Sequence, residues 1–127
     1  MKERTLIIGA GEVGKSLAEV LSKKYFVVLR DRDALQAEDG GSYRVIHICY
    51  PYSKSFVAIT REYIKFYKPS VTIVHSTVPP KTCDKLGVVH SPISGKHPHL
   101  AKSIETFDKY FGGKDAEKAA KFFNGAV

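Results

Sequence analysis

The sequence has few cysteines, no long apolar run and no block of like charges. Its two cysteines, Cys49 and Cys83, show neither metal-ligand nor redox spacing, so we interpret them as a buried strand thiol and a loop thiol. Behind the charged N-terminus, the apolar run of residues 6–8 is far too short for a signal peptide or a membrane span. A cytoplasmic location is therefore the expectation.

Positive charge is in excess, with a formal net charge of +7. The lysines are scattered, and no basic stretch carries interleaved stacking aromatics, which argues against nucleic-acid binding. We interpret most of the excess as solvated surface, part of which can attract an anionic ligand such as a dinucleotide.

The composition and the order of segments predict one globular α/β domain over residues 1–127. Hydrophobic residues make up 43% and charged residues 26% of the chain, which excludes a disordered protein. Short apolar runs predict strands at residues 5–8, 26–29, 44–49, 71–74, 88–90 and 107–111. Helices are predicted over 12–23, from an N-cap at Ser53 to just before Pro69, and over 79–86, 100–104 and 115–123. This alternation predicts a doubly wound, mostly parallel Rossmann sheet of about six strands with helices on both faces.

A glycine-rich turn joins the first predicted strand to the first helix. Its sequence is Gly9-Ala10-Gly11-Glu12-Val13-Gly14. In a dinucleotide-binding turn the first glycine makes the tight bend, the second lets the pyrophosphate approach the backbone, and the third lets the helix pack on the strand. The free N–H groups at the start of the helix then face the phosphates. The turn therefore predicts an NAD or NADP site.

The end of the second strand carries both an acidic and a basic candidate for the adenosine ribose. Asp31 lies 17 residues after Gly14, near the usual spacing for a carboxylate that binds the ribose hydroxyls of NAD. Arg32 could instead meet the 2′-phosphate of NADP. The acidic residue favours NAD, and NADP stays open.

Further along the chain, four short segments follow in a fixed order and spacing. They are Val45-Ile46-His47-Ile48-Cys49-Tyr50-Pro51, His75-Ser76-Thr77-Val78-Pro79-Pro80, Ser91-Pro92-Ile93-Ser94-Gly95 and Phe111-Gly112-Gly113-Lys114-Asp115. With the glycine turn, they resemble the N-terminal cofactor domain of the 6-phosphogluconate dehydrogenase-like superfamily. That group includes the β-hydroxyacid dehydrogenases and the UDP-glucose and GDP-mannose dehydrogenases.

The resemblance implies roles for three loops at the carboxyl ends of strands. The loop matching Tyr50-Pro51 runs along the adenosine side of the cofactor, and Ser76-Thr77 lies near the nicotinamide and the substrate. The loop matching Ser94-Gly95 binds substrate in the hydroxyacid branch. Ile93 stands where the nucleotide-sugar enzymes have a glutamate, whereas the Ser-Thr-Val-Pro segment is closer to that branch, so both branches stay open.

The resemblance also implies what this chain would lack. In the family, the catalytic lysine or the nucleophilic cysteine lies beyond this domain, as does the all-helical second domain that closes the site and often forms the dimer. The chain stops at Val127, and Cys49 and Cys83 do not match the nucleophile. An open cleft would weaken hydride transfer, so a homodimer that covers it is a possible arrangement.

The loop after the fifth predicted strand contains three basic candidates for catalysis. Lys96, His97 and His99 follow one another closely beside the expected nicotinamide end. A lysine or histidine can take the hydroxyl proton near neutral pH, although a solvated loop is an equally good interpretation. Zinc binding is disfavoured, because Pro98 separates the two histidines and no third spaced ligand follows. His75 and His90 end strands and are interpreted as structural, and His47 as a core residue.

Three functional hypotheses remain open from the sequence. The first is an NAD(P)-dependent oxidoreductase acting on a small hydroxyacid or a sugar-derived alcohol. The second is a non-catalytic module that senses dinucleotides. The third is a truncated fragment of a two-domain dehydrogenase.

Overall fold

The computed structural model describes residues 3–30, 42–92, 111–113 and 115–123. Within them lie the strands β1 (Arg4–Ile8), β2 (Phe26–Arg30), β3 (Val45–Ile48), β4 (Val71–Val74) and β5 (Val89–His90). The helices are α1 (Glu12–Leu21), α2 (Phe56–Tyr67), α3 (Thr82–Leu86) and α4 (Ala116–Phe123).

The five strands form one parallel sheet in the order β2-β1-β3-β4-β5. β1 lies inside the sheet, where Leu6 is paired with Val28 on one side and with Ile46 on the other. Parallel neighbours require a crossover connection, and α1, α2 and α3 each lie between two consecutive strands. The predicted α/β Rossmann fold is confirmed.

Two separate cores cover the two faces of the sheet. On one face, Leu17 of α1 and Phe122 of α4 pack in a cluster with Ile7. On the other face, Phe56 of α2 packs in a cluster with Ile48. Strands buried on both faces need apolar residues at nearly every position, which explains the short continuous apolar runs in the sequence. The prediction of helices on both faces is therefore confirmed.

The ends of α2 differ in how well the sequence predicted them. The predicted N-cap, Ser53, was wrong: Ser55 is the N-cap and makes no side-chain capping bond. The reason is a backbone turn, in which the N–H of Phe56 donates to the carbonyl of Ser53 at 3.0 Å. At the other end, Lys68 adopts a left-handed conformation with φ of 50°, and the helix stops before Pro69 as predicted.

The remaining predicted elements fall largely outside the described residues. These are the helix at 100–104 and the sixth strand at 107–111, of which residue 111 alone is described. Just beyond it, Gly112 forms an isolated antiparallel bridge with His90, with both N···O distances at 2.9 Å. The segment 111–113 is therefore anchored beside β5.

Candidate functional site

The strand order creates a crevice between the loops that follow β1 and β3. From β1 the chain moves to β2 on one side, whereas the later strands lie on the other side. Ligands of open α/β sheets bind at such a switch point, outside the carboxyl ends of the strands. In this chain the turn at Gly9–Gly11 and the loop at Cys49–Pro51 flank that position.

Gly9 makes the bend that the sequence predicted. Its φ is +113°, a conformation that L side chains rarely adopt, and a Cβ there would lie 2.7 Å from the Tyr50 nitrogen. The Gly9 N–H also donates to the Arg30 carbonyl at 2.7 Å. Any side chain at Gly9 would thus push apart the two loops that flank the crevice.

Gly14 brings α1 against the turn. A Cβ at this position would lie 1.8 Å from the carbonyl oxygen of Gly9, a distance that no pair of non-bonded atoms tolerates. Because the obstacle is main chain rather than a flexible side chain, α1 could accept a Cβ here only by moving away from the turn.

Gly11 is different, because nothing lies within 4 Å of the position a Cβ would take. It is the exposed N-cap of α1, and its carbonyl accepts the N–H of Lys15 at 2.9 Å. The first N–H groups of an α-helix point out of its N-terminal end rather than to carbonyls of the helix itself. Together with the positive end of the helix dipole they make this exposed turn suited to an anion.

Tyr50 turns its side chain away from the crevice. It is 3% exposed, its hydroxyl lies 2.6 Å from the Thr60 hydroxyl, and its ring lies 5.4 Å from that of Phe56. A ligand in the crevice could therefore reach the main chain of Tyr50 but not its phenol. Pro51, next in sequence, is exposed.

Hydrogen bonds through Ser76 connect the carboxyl ends of three strands, a feature that the sequence did not predict. The Ser76 hydroxyl donates to the Tyr50 carbonyl at 2.5 Å, which ties the β4 end to the β3 end. The Ser76 carbonyl lies 3.0 Å from Nε2 of His90, so an Nε2–H donates there and leaves Nδ1 without the proton in the neutral ring. Ser76 is nearly buried, whereas Thr77 is exposed.

Two more histidines form a polar contact beneath α4. Nδ1 of His47 lies 2.9 Å from Nε2 of His75, and Nε2 of His47 lies 3.1 Å from the Thr5 hydroxyl. Both rings are almost fully buried, and the prediction that His47 belongs to the core is confirmed. His75 sits directly before Ser76, so this buried contact also anchors the start of the β4 loop.

A cavity of about 380 Å³ lies beside β5, with Lys81, Cys83 and His90 among its lining residues. The prediction that Cys83 is a loop thiol was wrong, because it lies in the first turn of α3 and is 7% exposed. Burial, with a smaller contribution from the Asp84 carboxylate, raises the pKa of this thiol to about 11. Cys83 is thus an inert core residue at neutral pH.

Several predicted site residues lie outside the described part of the chain. They are Asp31, Arg32, Ser94, Gly95, Lys96, His97 and His99. Among the residues that the structure does describe, no three metal-ligating side chains come together. No helix within those residues is long and apolar enough to cross a membrane.

The sequence matches no protein-family model and no curated protein. The fold, in contrast, matches solved structures over nearly the whole chain. An NDP-N-acetyl-D-galactosaminuronic acid dehydrogenase from Methanosarcina mazei Go1 has a TM-score of 0.78 at 13% identity, covering 99% of this chain and 42% of that one. A 3-hydroxyisobutyrate dehydrogenase from Salmonella typhimurium has a TM-score of 0.66 at 16% identity, covering 98% of this chain and 53% of that one.

A reductive aminase from Aspergillus terreus, solved in complex with NADPH, has a TM-score of 0.65 at 12% identity and covers 100% of this chain and 53% of that one. The chain thus spans about half the length of these proteins. At such low identity the likeness is one of fold. It makes the chain a Rossmann domain like those of dehydrogenases and reductases, as the resemblance in the sequence predicted.

Proposed function

We propose that this chain is the NAD(P)-binding domain of an oxidoreductase that transfers hydride between a nicotinamide cofactor and a small hydroxyacid or sugar-derived alcohol. The observation that carries the proposal is the contrast within the glycine turn. Gly9 and Gly14 lie against main-chain atoms under 3 Å from a Cβ, whereas Gly11 has open space around it. A strand-to-helix connection that binds no ligand would require glycine at Gly9 and Gly14, where a Cβ would collide with main chain. It would not require glycine at Gly11, where a side chain has room.

The residues of the turn fit the pyrophosphate of a dinucleotide. Gly11 has no side chain to block an approach to the N–H groups that begin α1, a helix of ten residues. In the proposed complex the N–H groups of Glu12, Val13 and Gly14 donate to the phosphate oxygens. The adenosine lies along the main chain of Tyr50 and along Pro51, because the Tyr50 phenol is turned toward α2.

The nucleotide preference rests on Asp31 and Arg32 in this proposal. A carboxylate at the end of β2 accepts hydrogen bonds from the ribose hydroxyls and repels a 2′-phosphate, so Asp31 favours NAD. Arg32 would act in the opposite sense and favour NADP. We propose NAD as the cofactor, with NADP as the alternative that the titration below distinguishes.

The reacting end lies beyond β4 and β5 in the proposal. Bound nicotinamide supplies the hydride acceptor or donor. Ser76 fixes the loop through its bond to the Tyr50 carbonyl, and the exposed Thr77 is free to contact the ligand. Ser94 and Gly95 would hold the substrate.

The proton of the hydroxyl requires a base, for which the sequence offers Lys96, His97 and His99. A second domain or a second copy of the chain is the other source of that base. The glycine turn supports nucleotide binding whether or not catalysis follows, so a second candidate function is a nucleotide-binding module without catalysis of its own. Turnover by the isolated chain separates the two.

The test is calorimetric titration of the protein with NAD and NADP in both redox forms. We expect saturable binding that Gly11→Val weakens by at least about tenfold, which corresponds to roughly 1.4 kcal/mol. Ala58→Val is the matched control, because it adds the same side chain at an exposed position of α2. Asp31→Ala should weaken NAD binding more than NADP binding, and Arg32→Ala should do the reverse.

The outcomes are distinct for each part of the proposal. Absence of binding at millimolar nucleotide would overturn it, as would equal binding by wild type and Gly11→Val. If binding occurs, a screen of hydroxyacids and sugar alcohols, followed by NADH absorbance, tests catalysis. Binding without turnover of any substrate would favour the module that lacks catalysis.

A further inference from the structure

A second cavity lies at the edge of the sheet opposite to the glycine turn. It measures about 450 Å³, and its lining includes Glu3, Tyr25 and Arg44. These residues directly precede β1, β2 and β3, so the cavity lies at the amino ends of the strands. Because all strands are parallel, this edge is separate from the crevice proposed for the dinucleotide.

The lining of this amino-edge cavity is strongly basic. Within the described part of the chain, four cationic side chains and one carboxylate, that of Glu3, line it. The carboxylate is already neutralised, because Arg44 Nε donates to Oε2 at 3.0 Å and its terminal nitrogen donates to Oε1 at 3.1 Å. The other cationic side chains of the lining are those of Lys24, Lys118 and Lys121.

Two of these lysines come from one face of α4. Lys118 and Lys121 are three residues apart, the spacing at which side chains of a helix are neighbours. Lys118 makes one ion pair with Asp115, at 3.8 Å, and Lys121 makes none with any residue in the described ranges. Two like charges side by side are mutually repulsive, a cost that a bound anion would relieve.

The wall beneath the lysines is rigid. The rings of Tyr25 and Phe122 stack with centroids 4.0 Å apart and an angle of 8° between planes, and the Tyr25 hydroxyl donates to the Phe122 carbonyl. Lys24 Nζ lies 5.5 Å from the centroid of Tyr25. The α1 end and the α4 end of the lining are thereby held together, which fixes the backbone positions from which the lysine side chains extend.

We propose that this cavity binds a small multivalent anion bearing phosphate or carboxylate groups. Its volume falls in the range of small-molecule sites. A concave site lined by one sign of charge concentrates ions of the opposite sign more than scattered surface charges do. Three lysines in one lining, one of them paired with Asp115, suit a ligand that carries more than one negative charge. The site is separate from the one proposed for the dinucleotide, and its occupation does not require that function.

The test is titration with inorganic pyrophosphate and with citrate, both followed by calorimetry in the Gly11→Val background. That background removes the glycine turn as a competing anion site. The double variant Lys118→Gln/Lys121→Gln deletes two charges of the cavity. The matched control is Lys65→Gln/Lys68→Gln, which deletes the same charge at the C-terminal end of α2, on the other face of the sheet.

We expect a single saturable site whose Kd rises about tenfold or more in Lys118→Gln/Lys121→Gln and changes less than about twofold in the control. Amide shifts on anion binding should be largest at Tyr25 and Phe122. Tighter binding of pyrophosphate would identify phosphate as the recognised group, and tighter binding of citrate would identify carboxylate. Equal weakening in both double variants, or absence of saturation by either anion at millimolar concentration, would overturn the proposal.

Discussion

Two glycines of the same turn should differ in how much their replacement by alanine destabilises the fold. In Gly14→Ala the new Cβ would lie 1.8 Å from the Gly9 oxygen, and real contacts of this kind exceed 3.0 Å. In Gly11→Ala the Cβ meets no atom within 4 Å, and φ of −82° with ψ of −165° lies in the extended region that alanine adopts. The same chemical change therefore has two very different structural consequences.

The magnitudes follow from two effects at each position. Overpacking against an immobile group costs up to about 3 kcal/mol, and a helical Gly→Ala change returns about 1 kcal/mol through propensity. Gly14→Ala should thus destabilise the fold by about 2 kcal/mol, or about 8 °C in Tm for a domain of this size. At Gly11 the small loss at the N-cap and the gain in backbone entropy nearly cancel, so the change should stay within about 0.5 kcal/mol.

Urea unfolding followed by far-ultraviolet circular dichroism measures both values, provided that the slope m is unchanged. The reasoning would be refuted if Gly14→Ala unfolded at the same urea concentration as wild type. It would be refuted equally if Gly11→Ala were as unstable as Gly14→Ala, since the contrast between close contact and open space would then have no energetic meaning.

Two substitutions and one measurement of thiol reactivity test individual contacts. Tyr50→Phe removes the contact with Thr60 and should cost about 1 kcal/mol of stability without altering nucleotide affinity, as urea unfolding and calorimetry would show. The pKa of Cys83, raised to about 11 from 9.0 by burial, should make its alkylation at pH 8 about 100-fold slower than that of a free thiol. Tyr25→Phe removes the bond to the Phe122 carbonyl and should cost about 1 kcal/mol.

Each of these predictions has a contradicting result, which for Tyr25→Phe is a urea midpoint equal to that of wild type. Weaker nucleotide binding by Tyr50→Phe would mean that the phenol reaches the ligand. Rapid alkylation of Cys83 in the folded protein would mean that α3 opens readily.

Because burial of the Cys83 thiol favours its neutral form, the free energy of unfolding should fall as the pH rises from 9 toward 11, where the thiol of the unfolded chain ionises first. Tyr25, whose pKa burial also raises, contributes to the pH dependence of both proteins, so a loss of unfolding free energy across that range that is as large in Cys83→Ala as in wild type would contradict this.

The fold was predictable because its signals are local. The β-branched residues at 71–74, three of them apolar, form a strand with those same bounds, since a strand buried on both faces needs a nearly continuous apolar run. Gly87 ends α3 in a left-handed conformation, the usual arrangement where a glycine follows the last helical residue, and the predicted helix over 79–86 also ended there. The choice between Ser53 and Ser55 as the cap of α2 was not predictable, because both serines suit a cap and a backbone turn decided between them.

The alternation of side chains along β3 is a sequence signal for the orientation of Tyr50. Side chains alternate between the faces of a strand, and Ile46 and Ile48 pack on the α2 side together with Tyr50. Continued two residues past Ile48, the same alternation predicts that the phenol of Tyr50 lies in the core. The bond from Ser76 to the Tyr50 carbonyl has no such signal, since it depends on where two main-chain loops meet in space.

The amino-edge cavity, like the bond from Ser76 to the Tyr50 carbonyl, has no local signal in the sequence. Lys24 and Lys121 are almost a hundred residues apart. The sequence alone therefore gives no indication that their charges lie close together. The parallel sheet separates this cavity from the glycine turn by the length of a five-residue strand, about 16 Å. That separation exceeds the Debye length of about 8 Å at physiological salt.

This distance has a measurable consequence for the two proposed sites. At physiological salt, Lys118→Gln/Lys121→Gln should leave dinucleotide affinity unchanged within about twofold, because the lysines are screened from the phosphates. At about 10 mM salt the Debye length grows to about 30 Å, and the same variant should bind the dinucleotide measurably more weakly. Calorimetry at the two salt concentrations makes the comparison. A loss of affinity that did not depend on salt would instead mean that the two edges of the sheet are coupled through the structure rather than through the electrostatic field.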